Sequence, residues 1–364
     1  MALSPLLERT TFAKLSGWSN DELAAAFAAF RRSAVHVATR PYRTGALGID
    51  CAAFSDAYAA AREARSFDDR DARDFFERFF VPHRVAPDDR ARGFVTGFYE
   101  PEVEARRHRT RNFSVPFLSR PEDLFDIDDT NRPDGFDPYL AFGRKTGDGI
   151  VEYFDRRAID QGALAGRGLE IAWVQSKVDA FFVHVQGAAR LIMPEGVRRI
   201  TYAAKAGHRF TGIGRVLADL GEIPLADVTM QSIRRWLRDH PDRVDEILWK
   251  NRSYIFFREA PVEDPELGPI AAAKVPLTPG RSIAVDRLLH TFGTPFFIDA
   301  PALTAFGGEP FRRLMIAQDT GSAITGSARG DLFAGPGDKA GEIAGVVRND
   351  ADFYALVPRV LARD

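Results

Sequence analysis

A succession of short apolar segments, separated by stretches rich in glycine, proline and charged residues, most constrains the fold of this chain. Examples are FVTGFYE (94–100), RRITYAAK (198–205), TPFFIDAP (294–301) and RRLMIAQD (312–319). Runs of this length in β-branched and aromatic residues are typical of strands. Because the segments do not alternate regularly with helices, they favour a mainly β fold with helical decoration, in two barrel-like units, over a β-α-β fold.

Helical periodicity is concentrated near the start of the chain and in one later pair of segments. The segment SNDELAAAFAAFRRSA (19–34) places Ser19 or Asn20 at an N-cap, with acids in the first turn and arginines near the end. In the later pair, Pro241 can begin the second helix. The apolar run AFFVHVQG (180–187) is instead predicted as a strand. The other segments predicted as helices are 54–64, 71–80, 224–240 and 241–251.

Composition limits the class of partner. The 364 residues carry 45% apolar and 27% charged side chains, as in an ordinary globular protein, and the length predicts two domains. A net charge of −2 produces no general field that attracts nucleic acid or an anionic membrane, so no nucleic-acid partner is expected. No apolar run is long enough for a transmembrane segment.

Sequence motifs for cofactors and metals are absent. Cys51 is the only cysteine, which excludes an internal disulfide and a cysteine-based zinc site, and the 7 histidines form no HExxH pair. No dinucleotide-binding or phosphate-binding glycine motif follows a predicted strand, so neither a cofactor nor a metal is expected. Glu8 and Arg9 interrupt the apolar start, so no secretory leader is visible. The chain is compatible with a cytoplasmic protein or with one whose leader lies outside this sequence.

Two carboxylates in AQDTGSAITGSARGDLFAGPG (317–337) are the candidate catalytic groups. Asp319 begins Asp-Thr-Gly-Ser, which resembles the catalytic motif of aspartic peptidases, but those enzymes need two facing aspartates and the chain has no second such motif. If 312–319 is a strand, the glycines that follow allow turns that bring Asp331 beside Asp319. Two such groups can cleave a glycosidic bond, with one protonated as general acid. On spacing alone, the alternative that both only cap turns stays open.

A wider pattern consists of six blocks that occur in order along the chain. They are FVTGFYEPEVEAR (94–106), VDAFFVHVQGAARL (178–191), YAAKAGHRFTGIGRVL (202–217), MQSIRRWL (230–237), VPLTPGRSIAVDR (275–287) and LMIAQDTGSAITGSARGDLFAGPGDKAGEIAG (314–345). Together they resemble the MltA family of lytic murein transglycosylases. The last block also resembles the three-aspartate (3D) domain of other peptidoglycan enzymes. The resemblance extends from Gly93 to Pro358.

The resemblance implies a peptidoglycan-cleaving lyase with two domains. Family members cut the β-1,4 bond between N-acetylmuramic acid and N-acetylglucosamine without adding water, and they leave a 1,6-anhydromuramoyl end. Their architecture pairs a double-psi β-barrel, which carries the catalytic aspartate, with a second, inserted β-barrel, and the glycan lies in the groove between them. On that pattern, residues 1–104 and 256–364 form the first domain and residues 105–255 form the insert.

The resemblance also implies roles for individual residues. Asp331 matches the catalytic aspartate, which acts as general acid and then as base, and Asp319 matches a second acid at a strand end. Because Asp331 must first hold a proton, burial or a charged Asp319 is expected to raise its pKa. Tyr99 is expected to stack on a sugar, whereas simple packing in the strand stays an alternative for Phe98. The residues that match substrate-binding blocks are Thr96, Gly97, Phe98, Tyr99, Glu100, Asp179, Gln186, Gly187, Tyr202, Lys205 and Gly214.

The resemblance to the MltA family also leads to expectations about partners and location. The resemblance implies peptidoglycan glycan strands as substrate, no cofactor, a monomer, and a periplasmic location with association to the outer membrane. A non-catalytic glycan-binding module, in which Asp331 is structural, stays open as an alternative.

Overall fold

The computed structural model describes residues 2–64, 67–88, 91–128, 130–137 and 140–362, and in these ranges strands contain more residues than α-helices do. The strands are β1 (Leu7–Arg9), β2 (Phe80–Val85), β3 (Gly93–Glu100), β4 (Glu102–Glu104), β5 (Val115–Leu118), β6 (Leu124–Asp126), β7 (Phe142–Thr146), β8 (Gly149–Val151), β9 (Glu170–Val174), β10 (Ala188–Met193), β11 (Gly196–Lys205), β12 (Ile255–Ala260), β13 (Ser282–Val285), β14 (Pro295–Ala300), β15 (Phe311–Asp319), β16 (Arg329–Pro336) and β17 (Arg348–Pro358). The helices are α1 (Leu23–Val37), α2 (Ser55–Glu63), α3 (Asp69–Phe79), α4 (Arg156–Asp160), α5 (Lys177–Gln186), α6 (Ile213–Asp219), α7 (Met230–Asp239), α8 (Val244–Leu248) and α9 (Gly337–Val346). The predicted mainly β fold with helical decoration is confirmed. None of the helices in the described ranges is both long and apolar enough to cross a membrane.

The chain divides into two compact units, residues 1–99 with 264–364 and residues 100–263. In the first unit, one sheet has the strand order β1-β2-β17-β14-β15-β13-β16-β3, and β17 also pairs with β3. The six strands from β17 to β3 therefore form a closed ring, and closure removes the exposed edges that a flat sheet would have. Ile283 of β13, Leu332 of β16 and Phe353 of β17 are buried in the core of this unit. The double-psi connection of the ring and a second barrel stay predictions.

Helix α1 packs on this sheet through one apolar face. Leu23, Phe27, Phe30 and Ala34 recur at intervals of three or four residues and join the same core as the strands. The predicted N-cap is wrong, because Ser19 and Asn20 lie in a 3-10 turn (Trp18–Asn20) and the helix begins after Glu22.

Asp21 explains why the turn precedes the helix. Its carboxylate is buried, lies 2.8 Å from the Arg281 guanidinium and accepts a hydrogen bond from the Leu314 N–H. This acid therefore anchors the start of the helix to the sheet instead of capping the helix.

The second unit contains a sheet of order β12-β11-β10-β4 and two smaller sheets, β5-β9 and β6-β7-β8. The run 180–187, predicted as a strand, lies mostly in helix α5, so that prediction is wrong. Ser176 caps the helix by accepting from the Asp179 N–H, and Gly187 ends it at a φ of 79°. Apolar side chains of α5 pack into two different clusters, so the helix lacks the polar face that would have revealed its periodicity.

Candidate active site

The pairing of three strands brings Asp319 and Asp331 together. Ala284 of β13 is in register with Asp319 of β15 on one side and with Asp331 of β16 on the other. Residues in direct register project from the same face of a sheet, and neighbouring strands lie about 4.8 Å apart. The Cα atoms of the two acids are therefore about 10 Å apart, with the small Ala284 side chain between them. The two acids can act on one bound group.

Asp331 lies within strand β16, whereas the sequence pattern indicated only turns around it. Gly330, its neighbour, faces the core, where an added Cβ would lie 2.5 Å from Cδ1 of Ile283. The glycine therefore lets β13 and β16 approach, and it also removes the alternating apolar pattern that identifies strands in a sequence.

A β-bulge places Asp319 in line with Ala284. Ile283 pairs with Ala317, but the next residue, Ala284, pairs with Asp319, so β15 has one extra residue at Gln318. The buried Gln318 side chain donates to the Ala29 carbonyl of α1 at 2.8 Å and accepts from the Ser282 hydroxyl at 2.6 Å. These contacts hold the bulge, which determines where the acid projects.

The Asp319 carboxyl group is half-buried and weakly solvated. Burial raises its pKa to about 6, and the nearby charge of Asp331 acts in the same direction. Hydrogen bonds from the N–H groups of Thr320 and Ala272, the latter at 3.2 Å, partly offset the rise. Asp319 therefore changes charge close to neutral pH.

The Asp331 carboxyl group has a different set of partners. The Thr96 hydroxyl of β3 donates to Oδ1 of Asp331 at 2.5 Å, and Nη2 of Arg329 donates to the same hydroxyl at 2.7 Å. Burial raises the pKa of Asp331, whereas the positive charge of Arg329 and the Thr96 hydrogen bond lower it. The net effect is a raised pKa, which favours the protonated form that a general acid requires. No cluster of three or more potential metal ligands occurs among the described His, Cys, Asp and Glu residues.

Five of the predicted sugar contacts lie on β3, which pairs with the strand of Asp331, and the first four of them belong to the first unit. Thr96 touches Asp331, and the ring of the half-buried Phe98 lies 5.2 Å from the Phe333 ring. Tyr99 is only 7% exposed because its ring covers Gly341 of α9. Gly97 packs against the backbone of α9, where an added Cβ would lie 2.8 Å from Cα of Ala344. Contact with sugar stays a prediction for all four, and Phe98 has the more accessible aromatic ring.

Glu100 occupies the interior of the second unit. It is 1% exposed, and its two carboxylate oxygens accept from Arg199 at 2.5 and 2.9 Å and from Arg190 at 3.0 Å. These ion pairs hold Glu100, the first residue of the second unit, to β10 and β11 of the same unit. Its predicted contact with sugar stays a prediction, but the observed contacts give it a structural role.

The remaining predicted contacts belong to the second unit. Asp179 forms an ion pair with Arg234 at 2.5 Å, and Gly214 is packed so tightly in α6 that an added Cβ would lie 2.6 Å from Val228. Gly187 has the left-handed conformation that ends α5. The polar residues Gln186, Tyr202 and Lys205 are each at least partly exposed, as is the Asp179 side chain, so all four remain accessible candidates.

Arg329 and Ala284 also belong to the site, although no sequence motif predicts them. Arg329 is two residues before Asp331, so the two share a face of β16. A strand prediction for 329–336 would have revealed this relation, but the glycines concealed it.

Comparison with known proteins identifies the family. The model of the MltA-specific insert domain matches residues 94–258, and the model of the 3D domain matches residues 281–357. The membrane-bound lytic murein transglycosylase A of Escherichia coli K12 is 32% identical over 259 residues, which are 69% of this chain and 61% of that protein. The chain thus matches about three-fifths of the length of this curated relative.

Solved structures extend the similarity to nearly the whole chain. A membrane-bound lytic murein transglycosylase from Agrobacterium tumefaciens is 55% identical, with a TM-score of 0.92 over 98% of both chains. Escherichia coli MltA with bound chitohexaose is 27% identical, with a TM-score of 0.66 over 92% of this chain and 90% of that chain. The chain therefore belongs to the MltA family.

Proposed function

We propose that this protein is a lytic transglycosylase that cleaves the β-1,4 bond between N-acetylmuramic acid and N-acetylglucosamine in peptidoglycan. Family membership and the similarity to the Agrobacterium tumefaciens enzyme support the proposal. The observation that carries it is the placement of Asp331, an acid with a raised pKa, on the same face of the sheet as Asp319. One proton donor and a second carboxylate in this arrangement suit the cleavage of a glycosidic bond.

In the proposed reaction, Asp331 acts twice. It first donates its proton to the glycosidic oxygen as the bond from C1 of the muramoyl residue to that oxygen breaks. The C6 hydroxyl of the same muramoyl residue then forms a bond to C1, and the ionised Asp331 accepts the hydroxyl proton. Asp331 ends protonated, and no water is consumed. Because the nucleophile belongs to the substrate, the attack is intramolecular and gains from proximity.

Asp319 has an electrostatic role in this proposal. Its ionised carboxylate favours the positive charge that develops at C1, and it also favours the protonated form of Asp331. Both effects require Asp319 to be ionised, which occurs above its pKa of about 6.

The glycan contacts and the setting of the enzyme are part of the same proposal. The residues that match the substrate-binding blocks keep their proposed contacts with the glycan. Thr96 and Phe98 are the accessible ones in the first unit, and Asp179, Gln186, Tyr202 and Lys205 are accessible in the second. Residues 1–104 with 256–364 are proposed as the catalytic domain and 105–255 as the insert. A periplasmic location is proposed because the substrate lies outside the inner membrane. A monomer is proposed on the family resemblance.

Product analysis tests the function. Purified protein is incubated with isolated sacculi, and mass spectrometry measures muropeptides that end in the anhydro sugar, one water lighter than hydrolysed ends. We expect such products from the unaltered protein and none above background from Asp331→Asn. Asp338→Asn is the matched control, since Asp338 is exposed on α9 in the same unit. Binding to sacculi without product would favour the glycan-binding alternative. Normal release of anhydro products by folded D331N would refute the role of Asp331.

A further inference from the structure

Arg329 is held in a fixed position beside Asp331. Its Nη2 donates to the Thr96 hydroxyl at 2.7 Å, its Nη1 donates to the Gly330 carbonyl, and its guanidinium lies 5.5 Å from the centre of the Phe94 ring. Three contacts with β3 and β16 therefore restrict this side chain.

The position of Arg329 favours Thr96 as the donor, and Asp331 as the acceptor, of the hydrogen bond between them. A guanidinium only donates hydrogen bonds, so the Thr96 oxygen must accept from it. Of the two side chains bonded to this hydroxyl, only Asp331 can accept, so the single hydroxyl proton is satisfied by pointing to Oδ1 of Asp331 at 2.5 Å. The order of donors is Arg329, then Thr96, then Asp331.

This order distinguishes the two oxygens of Asp331. Because the carbonyl oxygen of a protonated carboxyl group is the stronger acceptor, the hydrogen bond from Thr96 to Oδ1 favours a proton on Oδ2. Oδ2 has no hydrogen-bond partner in the described part of the chain. Oδ2 is also in contact with solvent, since it does not belong to the described side-chain atoms that are both buried and without a hydrogen-bond partner. The oxygen that would carry the proton is thus the one that a bound molecule can reach.

We propose that Arg329 is a positioning residue that orients the Thr96 hydroxyl and thereby assigns the transferable proton of Asp331 to Oδ2. This inference rests on the proposed function and deepens it, since it states how the general acid presents its proton. Arg329 itself does not touch the reacting atoms.

The charge of Arg329 has a second, measurable consequence. It lowers the pKa of Asp331 and opposes the effect of burial. Among the residues that the structure describes, Asp319 of β15 is the other titratable group that bears on this site, while β3 and β13 contribute Thr96 and Ala284, which do not titrate. Removal of the Arg329 charge should therefore raise the pKa of Asp331 and extend its protonated range to higher pH.

The test combines a titration with kinetics. Carbon-13 NMR of the aspartate carboxyl groups measures the pKa of Asp331 in the resting protein, with its signal identified by loss in Asp331→Asn. The pH profile of anhydro-product release from sacculi is measured in parallel. The variants are Arg329→Gln, Arg329→Lys, Thr96→Val and Thr96→Ser. Arg287→Gln is the control, since Arg287 is exposed in the same unit.

We expect Arg329→Gln to raise the pKa of Asp331, move the alkaline limb of the profile to higher pH and lower the maximal rate about tenfold. Arg329→Lys should keep the limb near its original place because it keeps the charge. Thr96→Ser should retain most of the rate, whereas Thr96→Val should resemble Arg329→Gln. Arg287→Gln should change neither quantity.

Two results would overturn the proposal. One is an unchanged pKa of Asp331 in folded R329Q. The other is an equal loss of rate in R329Q and R329K with an unmoved alkaline limb, which would indicate a purely structural residue. Failure of the proposed function is a separate result, namely no anhydro product from the unaltered protein, and the NMR titration remains decisive for Arg329 in that case.

Discussion

Replacement of Asp319 by asparagine should stabilise the protein at neutral pH and have little effect in acid. Burial raises the pKa of Asp319 from 3.8 to about 6 in the folded protein, so the folded state keeps a proton that the unfolded state releases between these values. The stabilising contribution of the protonated group is complete below pH 3.8 and is lost as the pH rises through about 6. An amide has no charge to bury, and its oxygen still accepts from the Ala272 N–H.

The magnitude follows from the two pKa values. A rise from 3.8 to about 6 corresponds to at most about 3 kcal/mol of unfolding free energy. The stability of Asp319→Asn relative to the unaltered protein should therefore increase by up to about 3 kcal/mol between pH 4 and pH 7.

Urea unfolding at several pH values between 4 and 8 measures this difference. Asp338→Asn is the control, because Asp338 is exposed and its replacement should give a small difference that varies little with pH. A difference for Asp319→Asn that stays constant or decreases as the pH rises would show that the carboxylate is not destabilised by burial.

Three further predictions concern neighbouring residues. Asp331→Asn should lower the release of anhydro products by about 10²–10⁴-fold without lowering the melting temperature at neutral pH, and a product assay beside a thermal melt checks both. Glu100→Ala leaves Arg190 and Arg199 buried without their shared carboxylate, so unfolding should show a loss of about 3–5 kcal/mol; a loss below 1 kcal/mol would contradict the structural role of the ion pairs. Ala284→Val inserts a larger side chain between the two acids, so turnover should fall at least about tenfold while overpacking costs about 1–3 kcal/mol, and normal turnover would show that the space between the acids is not used.

Most strands and helices of the first unit could be predicted from local pattern. Strands such as β14 and β15 contain β-branched and aromatic runs, and helix α1 has a clear apolar face. Strand β16 could not be predicted, because glycines interrupt its alternation. Helix α5 was also concealed, since packing on two sides removes the polar face on which periodicity depends.

The geometry of the candidate site could not be predicted from local sequence pattern. The resemblance identified both acids, but the register that places Ala284 between them depends on a bulge held by Gln318 and helix α1. The orientation of Asp331 depends on Arg329 and Thr96, which lie on different strands. Such contacts arise from the pairing of distant segments, so short runs of sequence do not reveal them.

Closure of the strand ring has a consequence for the order in which the first unit can form during biosynthesis. Thr96 and Asp331 are 235 residues apart in the chain, and the pairing of β3 with β17 closes the ring that contains both of their strands. The chain must therefore be synthesised through Ala355 of β17 before the ring can close. A chain that lacks β17 would keep the pairing of β16 with β3 but would leave the ring open between β3 and β14.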